Sequence, residues 1–344
     1  MRTPASIKQM LVHLSAVFVF AFVMAFGGSQ VAFAGKPYQY YVVGDPTEVV
    51  PQHPPRTPSL VLMGGGPDVD DAFKWMINKS GGGNFVVIRA SGTDAYNPYI
   101  YAMGGVSSVE TIIIPSRDAA NDPFVISRIK GAEALFIAGG DQSDYINFWQ
   151  GTPVEAAIQD LASKNIPIGG TSAGLAVMGQ YAFTALRGTI TSPSALSNPY
   201  DKSLTLGRDF LTLPDMSSLI TDAHLDSRDR MGRLITFMAR IVNDGWSSMA
   251  HGVGVDVETA LLVDNGIASR AGVGSAYFLK TVGMPEVCKP KTPLTYRNLG
   301  VQRLSGSGTF DMRNWASYDG GTTDYSISAI NGVLYSTQAG GAIY

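Results

Sequence analysis

Short apolar runs alternate with amphipathic stretches along most of this chain, and the alternation predicts its elements. Ser59–Met63, Asn84–Ile88, Thr111–Ile114 and Ala134–Ala138 are nearly continuous apolar or β-branched runs. Runs without polar alternation belong to strands buried on both faces. Between them apolar residues recur at helical spacing, as with Val69, Ala72, Phe73 and Met76 within 68–78, and again in 99–103, 123–129, 143–149 and 154–163. Strands alternating with helices predict a mostly parallel sheet covered on both faces, a three-layer α/β/α sandwich. Ligands and catalytic groups gather at the carboxyl ends of such strands. The loops beginning at Gly64, Gly139 and Gly169 all fall at that edge.

Beyond this core the pattern is less regular. Residues 187–213 are polar, longer than a connection requires, and are expected to wall the active edge. Leu219–Asp222 reads as a strand, a further αβ unit ends at Val253–Asp256, and Ala260–Val263 is expected to pair back near it. From about residue 285, Ser, Gly, Thr and Tyr alternate in short runs, which predicts a small β appendage with strands at 311–315 and 325–335. The expected organisation is a signal peptide (1–34), a lead-in (35–58), an α/β domain (59–284) and a β-rich extension (285–344).

The signal peptide rests on a basic start (Arg2, Lys8), an apolar stretch from Leu11 to Phe26, and the small-x-small site Ala32-Phe33-Ala34. An uncleaved anchor competes, but the apolar stretch is short for a membrane span. The protein is therefore expected to be secreted or periplasmic. Removing the signal leaves 23 basic against 28 acidic residues, a net charge of −5. A mildly acidic chain has no electrostatic reason to bind nucleic acid or an anionic membrane. Cys288 is the single cysteine, so no internal disulfide forms. The mature chain retains His53, His224 and His251 without metal-ligand spacing, and no metal or cofactor is expected.

Candidate chemistry centres on Ile166-Pro-Ile-Gly-Gly-Thr-Ser-Ala-Gly174. Gly170-x-Ser172-x-Gly174 is the frame of a strand turning sharply into a helix with the serine exposed at the corner. A glycine turn with a capping serine fits the same residues. A nucleophilic serine needs a base, and the base needs an orienting group. His53 lies among prolines and His251 just before a strand, whereas His224 sits at a strand-to-helix junction. Asp256 and Glu258 are the acids placed to orient it. Backbone N–H groups of Ala173 and Gly140 are the expected oxyanion donors. Arg228, Arg230 and Arg233 gather at a helix N-terminus, against the dipole. They call for a compensating anion, either Asp222, Asp226 and Asp229 in a salt-bridged surface helix or a bound carboxylate.

Four motifs recur in order: Gly139-Gly-Asp-Gln142, Gly170-Thr-Ser-Ala-Gly174, Asp222-x-His224 with arginines four, six and nine residues on, and Gly252-x-Gly-x-Asp-x-x-Thr-Ala260. Together they resemble the cyanophycinase branch of the S51 serine peptidases, which also contains the aspartyl dipeptidases. The resemblance spans roughly Leu60 to Val263. It implies a fold like the class I glutamine amidotransferases, Ser172 as nucleophile, His224 as base and an acid from the Asp256 region. It further implies that Gln142, Asp222, Arg228, Arg230 and Arg233 shape a pocket for a β-linked Asp-Arg unit. The implied reaction is acyl transfer to serine and then to water, releasing β-Asp-Arg dipeptides.

Two positions depart from the family pattern. Ala223 stands where cyanophycinases tend to carry a substrate-contacting glutamine, and Val257 where a glutamate is frequent. The substrate class therefore stays open between cyanophycin and the other acidic peptides of an aspartyl-dipeptidase-like exopeptidase. A binding homologue without the triad is the non-enzymatic reading. An α/β-hydrolase esterase also uses Gly-x-Ser-x-Gly, but its histidine comes last, and no histidine follows His251. The partner expected is a peptide substrate, with room for a homodimer, no nucleic acid, and no membrane after signal cleavage.

Overall fold

The computed structural model describes residues 35–47 and 57–344. The expected signal peptide and His53 lie outside the described residues. Two sheets carry the fold. The first has ten strands, in spatial order Gln39–Gly44, Ser108–Ile113, Asn84–Arg89, Ala134–Ile137, Ile168–Thr171, Ser59–Met63, Thr259–Asp264, Ile267–Gly272, Thr309–Asp311 and Ala316–Ser317. The run from Ser108–Ile113 to Ser59–Met63 is parallel throughout, and its strands are almost wholly buried. Every other pair in this sheet is antiparallel.

The second sheet has eight strands, in the order Val333–Ser336, Thr323–Ile330, Tyr296–Leu304, Ala276–Lys280, His251–Val255, Leu219–Asp222, Tyr181–Phe183 and Leu206–Arg208. Only the pairings of Leu219–Asp222 with its two neighbours are parallel. The expectation of a mostly parallel sheet therefore holds for the central strands of the first sheet alone. Ala260–Val263 also pairs differently from expected, with Ser59–Met63 and Ile267–Gly272. Asn265 and Gly266, at φ 50° and 84°, supply the tight hairpin that turns the chain there.

The layers change along the molecule. One face of the first sheet is covered by the helices Asp70–Ser80 and Tyr96–Tyr101, with Phe73, Met76 and Ile100 buried against Phe85, Val87 and Phe136. Opposite, the parallel strands carry the helices Pro123–Lys130, Gln142–Trp149 and Pro153–Ser163. Beside them the antiparallel strands meet the second sheet instead. Phe310 stacks on Phe278 across that junction at 3.7 Å between centroids, with Leu261, Val253 and Val255 in the same core. The far face of the second sheet buries the helix Met231–Asn243. The expected α/β/α sandwich thus becomes helix–sheet–sheet–helix where the antiparallel strands of the first sheet meet the second.

Residues 285–344 are no separate appendage. Tyr296–Leu304 pairs with Ala276–Lys280, and Thr309–Asp311 pairs with Ile267–Gly272, so the segment extends both sheets. Its alternation has a clear cause, since Tyr325, Ile327 and Ala329 point into the second core while their neighbours face outward. The expected strands at 311–315 and 325–335 each contain a turn, the second at Asn331-Gly332. The lead-in likewise contributes an edge strand, Gln39–Gly44, to the first sheet.

Candidate active site

Ser172 stands where the strand Ile168–Thr171 turns into the helix Ala173–Ala176, with φ 52° and ψ −110°. An L-residue rarely occupies that region, and holding one there costs roughly 1–3 kcal/mol. The neighbouring glycines make the corner sterically possible. A Cβ on Gly174 would stand 2.0 Å from the Ile137 carbonyl oxygen, and one on Gly170 2.7 Å from the Gly174 carbonyl carbon. The short helix therefore lies directly on the adjacent strand.

His224 follows Leu219–Asp222 of the second sheet, also at positive φ, 49°. Its Nε2 lies 2.9 Å from Ser172 Oγ. Consecutive carbonyls hold the two residues in place. The Ser172 N–H donates to Met63 O at 3.1 Å, and the His224 N–H donates to Gly64 O at 2.8 Å. The Thr221 hydroxyl adds a tie to Leu175 O at 2.7 Å. Gly65, at φ 90°, forms the floor beneath the imidazole, because a Cβ there would stand 2.5 Å from His224 Nε2. The sequence signal for this support is the run of three glycines, Gly64-Gly65-Gly66, after a buried strand.

Burial, followed by the charges of Arg228 and Arg230, pushes the His224 pKa down to about 4. The imidazole is therefore neutral at neutral pH, the state in which Nε2 accepts a proton from the serine hydroxyl. The expected orienting acids are not at the ring. Asp256 is buried, and its carboxylate accepts from the N–H groups of Ser275 (2.9 Å) and Asp226 (3.2 Å) and from the Tyr277 hydroxyl (3.5 Å). Burial, with Asp226 adding to it, raises its pKa to about 6. Glu258 is exposed at φ 53°, and its N–H donates to Gly65 O at 2.9 Å. Among the described residues no hydrogen bond joins either carboxylate to His224.

A cavity of about 400 Å³ opens beside the pair. Gly140, Gln142, Ala173, Arg228 and Arg230 line it with Ser172. The two expected oxyanion residues thus share a wall with the serine. Gln142 begins the helix Gln142–Trp149, and its side-chain amide donates to Phe183 O at 3.3 Å. Thr189, Ile190 and Thr191 bring part of the long polar segment to the same cavity. That segment's helix, Ser192–Ser197, lies against Met231–Asn243 at Gly232, where a Cβ would stand 2.7 Å from Leu196 Cδ1.

The three arginines divide into two kinds. Arg233 is 2% exposed, and its Nε and Nη2 donate to the two oxygens of Asp222 at 2.7 and 2.6 Å. It also donates to Thr189 Oγ1 and Ile190 O and lies over the rings of Phe183 and Phe237. Four hydrogen bonds hold its guanidinium, which also lines the cavity, so Arg233 and Asp222 brace the wall beside the serine. Arg230 donates to Ala223 O at 2.8 Å and stands 3.6 Å from Asp222; burial lowers its pKa to about 10. Arg228 is exposed and, among the described residues, makes no hydrogen bond or ion pair through its side chain. Of the three acids in the salt-bridge reading, Asp222 pairs with Arg233 and Arg230, whereas among the described residues Asp226 and Asp229 form no ion pair. His251 opens the strand His251–Val255 and stacks on Trp315 at 3.9 Å, apart from this constellation.

Comparison with known proteins places this geometry. The sequence model of peptidase family S51 matches residues 60–266. The cyanophycinases of Trichormus variabilis and of Nostoc sp. are each 28% identical over 223 residues, which covers 62% of this chain and 68% of theirs. Among solved structures, a peptidase from an acI-B1 actinobacterium aligns with a TM-score of 0.45 and 17% identity, over 64% of this chain and 90% of that one. The family match spans more than half of the chain and contains both Ser172 and His224. The chain belongs to peptidase family S51 and is a serine-type peptidase.

Proposed function

We propose that the protein is an exported enzyme that hydrolyses cyanophycin or a related β-aspartyl peptide through a serine acyl-enzyme, releasing β-Asp-Arg-type dipeptides. The observation that carries this reading is that Ser172, hydrogen-bonded to His224, lines the same cavity as Arg230 and as Arg228, which has no ion-pair partner among the described residues. Ser172 Oγ attacks the scissile carbonyl while His224 Nε2 takes its proton and returns it to the leaving amine. The N–H groups of Ala173 and Gly140 stabilise the oxyanion, and water then releases the acyl group by the reverse path. Arg228 and Arg230 offer planar donors to a substrate carboxylate. The similarity to cyanophycinases supports the substrate class, and residues 1–34 support export.

A second substrate reading, other acidic peptides, is favoured by Ala223, whose short side chain lines the cavity. One comparison separates the two. Purified protein is incubated with cyanophycin, β-Asp-Arg peptides and α-linked controls, beside Ser172→Ala. Release of β-Asp-Arg by wild type, with a loss of at least about 10⁴-fold in Ser172→Ala, is the expected result. Equal product from both proteins would overturn the nucleophile. Activity confined to other acidic peptides would overturn the substrate and keep the mechanism.

A further inference from the structure

Three acids lie within the arginine segment, and each is held away from Arg228. Asp222 is bound by Arg233, and the Asp226 carboxylate accepts from the Ser227 N–H at 2.6 Å. Asp229, between Arg228 and Arg230, adopts φ 47°, and its backbone oxygen accepts from the Ser192 hydroxyl. Its carboxylate accepts a hydrogen bond at 2.9 Å from the phenol of Tyr344, well beyond residue 266 where the family match ends. The same phenol oxygen accepts from the Met231 N–H at 3.1 Å, satisfying one free donor of the helix Met231–Asn243. The segment carrying Tyr344 is itself anchored. The Tyr325 hydroxyl donates to Ile343 O at 3.0 Å, and the Tyr344 ring meets Tyr277 edge-on at 6.0 Å.

We propose that Tyr344 is a positioning residue that sequesters the Asp229 carboxylate and so keeps Arg228 free for the substrate's carboxylate. An exposed carboxylate next to a guanidinium is a weak but standing competitor for it. Among the described residues it makes no ion pair, and a neutral hydroxyl supplies its side-chain hydrogen bond. Burial and the Asp229 charge both raise the Tyr344 pKa, which keeps the phenol in its donor form. A segment between Ser172 and His224 and one beyond the family match thus converge on one acid, with Ser192 holding its backbone and Tyr344 its side chain.

This inference rests on the peptidase reading, and the test separates the two. Tyr344→Phe keeps the ring and its packing and removes only the hydroxyl; thermal melting confirms the fold. On a β-Asp-Arg peptide substrate KM rises about threefold, the size of one exposed ion pair formed in competition, with kcat little changed. Adding Asp229→Asn to Tyr344→Phe removes the competing anion and returns KM to the wild-type value. A purely structural role for the hydroxyl would give no such rescue. As a second measurement, β-Asp-Arg dipeptide is titrated calorimetrically into the Ser172→Ala protein with and without Tyr344→Phe, and the same weakening is expected. An active wild type whose KM is unmoved by Tyr344→Phe, or a defect that Asp229→Asn does not relieve, overturns the role of Tyr344 alone. A wild type that neither cleaves nor binds any β-aspartyl or acidic peptide overturns the peptidase reading and this one with it.

Discussion

Gly65→Ala tests whether the glycine loop positions the base. The added Cβ would stand 2.5 Å from His224 Nε2, 2.6 Å from Cε1 and 3.1 Å from Ser172 Cβ. Non-bonded heavy atoms settle near 3.5 Å or beyond, so the imidazole must retreat by about 1 Å. A displacement of that size at a reacting group costs about 10²-fold in rate. Alanine at φ 90° adds strain of about 1–2 kcal/mol, which lowers stability independently of the chemistry. Gly66→Ala separates the two effects. Gly66 has φ 79°, but its Cβ would meet Val257 Cβ at 3.1 Å and not the histidine. Both variants should lose similar stability in urea melts, while only Gly65→Ala loses kcat, with KM nearly unchanged because Arg228 and Arg230 are untouched. A Gly65→Ala enzyme that retains wild-type kcat, or a Gly66→Ala enzyme equally impaired, would refute a positioning role for this glycine.

Further outcomes follow from the same geometry. Asp222→Asn leaves Arg233 buried with a weakened partner, and about 3–5 kcal/mol of stability should be lost on chemical denaturation. Arg228→Ala should raise KM for a carboxylate-bearing peptide with little change in melting temperature, whereas Arg233→Ala should lower the melting temperature first. Because the His224 pKa lies at about 4, the acidic limb of kcat/KM should fall near pH 4 rather than 6.5. The stability contributions of His224 and Asp256 oppose each other. The lowered His224 value gives stability that is complete above pH 6.5 and lost as pH falls through 4. The raised Asp256 value gives stability that is complete below pH 3.8 and lost as pH rises through 6. The two act with opposite sign over overlapping pH ranges, so Asp256→Asn should steepen the rise of stability with pH between 4 and 6 relative to wild type.

Much of the first sheet was legible in the sequence, because strands buried on both faces are written as unbroken apolar runs and only one side-chain pattern fits them. Ser172 and His224 were legible for a related reason: glycines at 170 and 174 and a strand-to-helix junction constrain the backbone itself. The second sheet was harder to read. Alternation in Tyr296–Leu304 or Thr323–Ile330 tells which face is buried but not which strand lies alongside. Its partnerships, such as His251 with Leu219 and Tyr277 with Arg303, are set by packing between distant segments. Two hairpins did carry a local signal, Asn265-Gly266 and Asn331-Gly332, each with both residues at positive φ. Asp256 shows the limit at a site. Its place after a strand was readable, but the direction of its side chain was decided by two free N–H groups, on Ser275 and Asp226, that compete with the histidine. Arg228 and Arg233 look equivalent in sequence and differ only because Arg233 lies within the buried helix and Arg228 precedes it.

The carbonyls of Met63 and Gly64, which hold Ser172 and His224, have a consequence for how this enzyme acquires activity. The pair does not exist within either sheet alone. It needs residue 63 joined to 172 and residue 64 joined to 224, and loops of that length close slowly against their entropy. A chain that has regained its helices and its parallel strands is therefore still inactive, and turnover reports the docking of one sheet on the other.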